Sequence, residues 1–309
     1  MFDVFAEVLL PIVVIVALGY VFYRASAPDL RPLNRISLYL LSPALIFSSL
    51  VEADIAGGEG LRVVGFMLIL TGAMFIFSWA LGFTLRLSRE NVTAMMLCTM
   101  FSNAGNYGLP VAFFAFGQQG FERAVLFFVT QGVLAQILGL YIAGSGNSDY
   151  KDGLKRLVQL PQIYAVAAAL AARWVGPELF TSSQSVANDL FRGVSLLGDA
   201  AIPVLLVILG MQLAQTRIDR ADGVEISLAV GLRLLTSIPI SYAVAQALGL
   251  DPLSTRLAVI LGSMPTAVNV IILAIEFDIR PKLVSSIVIV STALSLVTLT
   301  VLLSAFGAG

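Results

Sequence analysis

The sequence predicts an all-α membrane protein of ten transmembrane helices, arranged as two inverted five-helix repeats. Three observations carry this. Of the 309 residues, 58% are apolar and only 12% charged, against roughly 45–50% and about 25% in soluble domains. The mean hydropathy of +0.94 agrees. Ten apolar stretches come near the length of about 20 residues that a helix needs to cross the hydrocarbon core. The fourth and ninth of these are interrupted by Gly, Pro and Asn at corresponding places in the two halves.

The spans, in order, are 2–23, 33–50, 61–85, 92–116 and 121–143, then 157–175, 193–213, 226–248, 255–277 and 283–306. Each gap between them holds charge or a Gly/Pro/Asn cluster. Span one resembles a signal peptide, because Ala25-Ser26-Ala27 is a small-residue cleavage pattern. Asp3 and Glu7 make its leading end acidic, however, whereas a signal peptide starts with a basic region. It is therefore expected to stay as the first helix. Trp79 and Trp174 lie near span ends and read as interfacial anchors. Cys98 lies in an apolar stretch and reads as a small core residue.

Orientation follows from the loops. Odd-numbered loops hold twelve Lys/Arg, from Arg24 to Lys282, and even-numbered loops hold five. The cytoplasmic side carries the excess of basic residues. Both termini of a plasma (inner) membrane protein are therefore expected outside. The polar cytoplasmic loop 144–156 divides the chain into residues 1–143 and 157–309. Five is odd, so the second half inserts upside down relative to the first, as in transporters with inverted repeats.

Composition excludes several functions. With 18 basic and 19 acidic residues, no basic surface is available for nucleic acid. There is no histidine and a single cysteine, so no disulfide framework, zinc cluster or CxxC pair can form. No phosphate-binding loop is present, and no cofactor or metal is expected.

The two broken spans carry the chemistry. Span four reads Ser102-Asn103-Ala104-Gly105-Asn106-Tyr107-Gly108-Leu109-Pro110. Span nine reads Gly262-Ser263-Met264-Pro265-Thr266-Ala267-Val268-Asn269. Proline breaks or kinks a helix and fits the first position of a new one. Each span should thus become two half-helices, the second starting near Pro110 or Pro265. Broken backbone at membrane depth persists only where protein covers it or it lines a cavity. Helix N-termini favour anions, and Asn103, Asn106, Ser263, Thr266 and Asn269 add neutral hydrogen-bonding groups. Alternatively, these groups only satisfy carbonyls freed by the kinks.

At these motifs the chain resembles the auxin efflux carrier family, which includes bacterial organic-acid permeases and plant auxin exporters. The segment Asn103 to Pro110 is similar to the family's fourth-helix motif. Pro265-Thr-Ala-Val-Asn269 is similar to its ninth-helix motif. Pro11, Gly19 and Ser42-Pro43 also match, and the likeness spans essentially the whole chain. The resemblance implies a fold like that of bile-acid sodium symporters, with spans four and nine crossing at their unwound centres. It implies a scaffold of spans one, two, six and seven, and a moving transport unit of spans three to five and eight to ten. It implies a homodimer, elevator-like motion and substrate contact by Asn103 and Asn269. The long cytoplasmic loop of many plant exporters is absent here.

Arg233 in span eight and Asp199 in span seven are costly inside a membrane and call for partners or a cavity. Arg233 would raise the positive potential near the crossing, and Asp199 would be a proton-sensitive carboxylate. Snorkelling or structural ion pairing is the alternative, as it is for Glu7 and Glu276. No acidic residue lies between Thr99 and Ala112 or between Gly262 and Ile272, which argues against sodium coupling. The sequence thus predicts a secondary carrier of small organic anions, with carboxylates favoured, working by uniport or proton linkage. A sodium-coupled symporter, an intramembrane enzyme and a channel are the alternatives. The enzyme lacks a recognisable nucleophile–base spacing, and the channel lacks polar stripes or charged rings.

Overall fold

The computed structural model describes residues 1–53, 58–144, 158–182, 186–216 and 222–307. The helices are α1 (Phe2–Ser26), α2 (Leu30–Glu52), α3 (Glu59–Thr84), α4 (Arg89–Met100) and α5 (Ala104–Ala143). They continue as α6 (Pro161–Val175), the short α7 (Glu178–Thr181), α8 (Val186–Gln215), α9 (Gly223–Ala247), α10 (Pro252–Gly262), α11 (Val270–Glu276) and α12 (Pro281–Ala305). Among the described residues there is no strand, only one isolated antiparallel bridge between Ser102 and Thr266. The loop expected to divide the chain lies, apart from Gly144, outside the described residues.

Seven helices among the described residues are long and apolar enough to cross a bilayer: α1, α2, α3, α5, α8, α9 and α12. The other expected spans lie in shorter or merged pieces. Span four divides between α4 and the start of α5, span six is α6, and span nine divides between α10 and α11. At 40 residues, α5 would be about 60 Å long if straight, twice the hydrocarbon thickness. It breaks at Gly117, whose φ of 63° and ψ of −159° lie in a region that only glycine enters readily. The pieces are 104–116 and 118–143, so spans four and five are joined by one residue rather than by the loop expected over 117–120.

Packing sorts the helices. α1 lies along the second part of α8, and α2 packs on α6 and on the first part of α8. A Cβ at Gly210 would strike the Val16 carbonyl oxygen, so glycine is what lets these two backbones meet. Elsewhere α3 packs on α4, α5 and α9, and α10 on α9 and α5. Phe66 of α3 meets Phe127 of α5 edge to face at 5.7 Å. Many large apolar side chains point outward, among them Val14, Leu18, Val21 and Phe22 of α1. Such a surface is stable only against lipid or another apolar body.

Candidate functional site

The interrupted segments meet in the interior. α4 ends at Met100, and Phe101 turns extended with φ −109° and ψ 111°. α10 ends at Gly262, and helix does not resume until Val270. The two unwound pieces run antiparallel. The Asn103 amide donates to the Pro265 carbonyl at 2.8 Å, and the Ala267 amide to the Phe101 carbonyl at 2.9 Å. Backbone freed from two helices is thereby satisfied without water.

The two helix restarts compare differently with the sequence expectation. Helix after the first break begins at Ala104 with a π-helical turn over Ala104–Gly108, in which the Gly108 amide donates to the Asn103 carbonyl at 2.9 Å. Pro110 follows in the first turn of regular α-helix, a position that proline's fixed φ suits. Pro265 lies inside the unwound piece and supplies a carbonyl acceptor. Regular α-helix thus begins beside Pro110, as expected, with a π-helical turn before it, whereas after the second break helix begins at Val270 and not near Pro265. α11 has only 7 residues, so its terminal field is weaker than the sequence expectation assumed.

The expected site residues fall into different environments. Asn103 is 5% exposed, and its side-chain Nδ2 is buried without a hydrogen-bond partner. Asn269 is exposed and precedes α11 without capping it. Asn106 is half-buried, and its Nδ2 donates to Oε1 of Gln212 on α8 at 3.5 Å. Ser263 donates to the carbonyls of Val259 and Ile260 within its own helix. Thr266 donates from Oγ1 to the Cys98 carbonyl at 2.9 Å, and its amide donates to Ser291 Oγ. In this conformation Thr266 ties the two broken segments together, while Ser263 bonds only to its own segment.

Arg233 extends from a π-helical turn in α9 straight to the crossing and is 1% exposed. It donates to the carbonyls of Thr99 (2.6 Å), Met264 (2.8 Å) and Gly262. Asp199 is not brought to this place. It is exposed and lines a separate cavity of about 330 Å³ with Glu52, Ser48, Gln118, Phe113 and Phe114. Glu52 stands close enough to Asp199 and Glu122 for their charges to act on one another. The cavity lies between α1, α2, α5 and α8, so the aromatic residues after Pro110 face a space as well as each other.

Sequence reasoning missed Gln131 and Gln212. Gln131 on α5 accepts from Ser102 Oγ and donates to the Met100 carbonyl. A lone amide side chain in an apolar span is the signal that would have found both.

A broken-helix crossing inside a multi-span apolar body marks an integral membrane transporter. The sequence model of the membrane transport protein family matches residues 4–152 and again residues 150–303. The chain belongs to this family, that of the auxin efflux carriers. It is a transporter and not an enzyme. It is 28% identical over 299 residues to an uncharacterized transporter of Methanothermobacter thermautotrophicus, covering 95% of each chain. It is 23% identical over 305 residues to an uncharacterized transporter of Methanocaldococcus jannaschii, covering 95% of this chain and 96% of the other. It is also 27% identical over 286 residues to a Rhizobium meliloti protein provisionally named a malonate transporter, covering 88% and 85%.

Proposed function

We propose that the protein is a carrier of small organic anions, with malonate-like carboxylates its first candidate cargo, and that the cargo binds at the crossing of the two broken spans. The observation that carries this reading is the buried, unpartnered Asn103 amide beside the antiparallel bridge. An unmet donor inside a protein costs about 1–3 kcal/mol, and a carboxylate oxygen is the acceptor that would remove that cost. Asn269 stands exposed beyond the bridge on the other chain segment. The R. meliloti relative's name supports the choice of malonate.

The architecture proposed is ten spans in two inverted five-helix repeats, 1–143 and 157–309, with both termini outside the inner membrane. The packing supports a scaffold of α1, α2, α6 and α8 and a transport unit of α3, α4, α5 and α9 to α12. Elevator-like alternating access then moves the crossing past the scaffold, with the Asn106–Gln212 contact and the cavity at the sliding boundary. A homodimer through the scaffold is part of the proposal. The exposed apolar face of α1 supports it.

Uniport or proton linkage is favoured over sodium coupling. An inside-negative potential of 100 mV contributes about 2.3 kcal/mol per charge, enough to hold about a 50-fold outward gradient of a monoanion. The test is malonate transport in proteoliposomes. Saturable counterflow is the expected result. Unsaturable flux would indicate a channel, and sodium-dependent flux would indicate the symporter alternative.

A further inference from the structure

Two helices end facing each other at the crossing. α4 stops at Met100 and α10 at Gly262. The last carbonyls of a helix have no partner within it, and its aligned peptide dipoles leave about half a negative charge there. Two such ends sum to about one negative charge. At membrane depth there is no bulk water to answer them.

Arg233 answers them. It is the largest fully buried side chain among the described residues. Its fork reaches Thr99 of one helix end and Gly262 and Met264 of the other. Among the described residues no carboxylate pairs with it. Its one positive charge matches the two half-charges of the helix ends. Beside Gly262 lies a further oxygen, Ser241 Oγ, buried and without a hydrogen-bond partner.

We propose that the Arg233 guanidinium is the resident cation of an oxygen-lined site at the crossing, where it stands in place of a bound monovalent metal ion. Removing the side chain would leave three converging carbonyl oxygens and a nearby hydroxyl. Unwound carbonyls and half-helix C-terminal ends of this kind coordinate sodium in membrane transporters. Arg233 is thus a positioning residue that spares the protein an ion. This deepens the sodium-free reading of the same crossing and rests on it for the transport arm of the test alone.

The experiment compares wild type, Arg233→Ala and Arg233→Lys as purified full-length protein, melted in sodium chloride and in choline chloride of equal strength. Malonate transport is measured in parallel. Wild type and Arg233→Lys are expected to melt alike in both salts. Arg233→Ala is expected to melt lower in choline chloride and to recover in sodium chloride, with transport about tenfold slower without sodium and partly restored by it. The proposal is overturned if Arg233→Ala shows no sodium-specific recovery, including failure to fold in sodium chloride. It is equally overturned if sodium stabilises the wild type as much. Absence of malonate transport by the wild type would refute the cargo reading and leave the melting comparison intact.

Discussion

The Asn103 backbone amide donates to the Pro265 carbonyl at 2.8 Å, tying the unwound centre of one broken helix to that of the other. The main chain of Asn103 is thereby fixed, while its side-chain amide stays buried and unmet. On the proposed reading, this rigidly held and unsatisfied tip is where the cargo's carboxylate binds.

Thr266 separates holding the crossing from binding the cargo. Its hydroxyl answers the Cys98 carbonyl, one of the last of α4. Thr266→Val keeps the shape and removes the donor, so it should cost about 1–3 kcal/mol of stability. Thermal unfolding checks this. KM for malonate should stay within about twofold of wild type, and a large rise in KM at unchanged stability would instead make Thr266 a cargo ligand.

Asp251 caps α10, accepting from the Leu253 and Ser254 amides, and pairs with Arg123 at 2.8 Å. Burial pushes its carboxyl up, but the Ser254 hydrogen bonds and Arg123 outweigh that and hold it below the ordinary range. Asp251→Ala should cost about 1 kcal/mol at neutral pH. A depressed carboxyl stabilises above its unfolded pKa, about 3.9, and that contribution fades as pH falls through the lower folded value. The stability gap between variant and wild type should therefore persist at neutral pH and close only in strong acid. Melting curves against pH test it, and a gap that widens on acidification would refute it.

Asp199 faces the cavity with Glu52, and Glu122 acts electrostatically on Glu52. If the proposed cargo passes this cavity, the clustered carboxylates make its transport sensitive to protonation. Asp199→Asn should change the pH dependence of malonate transport. An unchanged profile would remove Asp199 from any proton linkage.

The broken spans were legible because Asn, Gly and Pro clusters stand out in apolar sequence, and because both halves carry one. The exact helix restarts were not. Proline after a break reads as the start of a half-helix; that holds for Pro110, ahead of which a π-helical turn is added over Ala104–Gly108, but Pro265 is an acceptor inside the unwound piece. Only tertiary pairing decides such a register. Arg233 was visible as a costly charge near the crossing, yet its partners are backbone carbonyls, which leave no mark in side-chain sequence. Asp199 was grouped with it because both are charges within spans, and the fold sends them to different places. The one-residue joint at Gly117 was hidden by the polar Gln118-Gln119 that follows, which reads as loop.

The central claim is that cargo binds at the crossing through Asn103 and Asn269. The most direct test is malonate counterflow in proteoliposomes containing wild type, Asn103→Ala or Asn269→Ala. Hydrogen bonds to a charged ligand contribute about 1.5–3 kcal/mol each, so each variant should lose roughly 10- to 100-fold in kcat/KM while folding normally. Wild-type malonate counterflow that persists undiminished in both variants would contradict the claim and move the site away from the crossing.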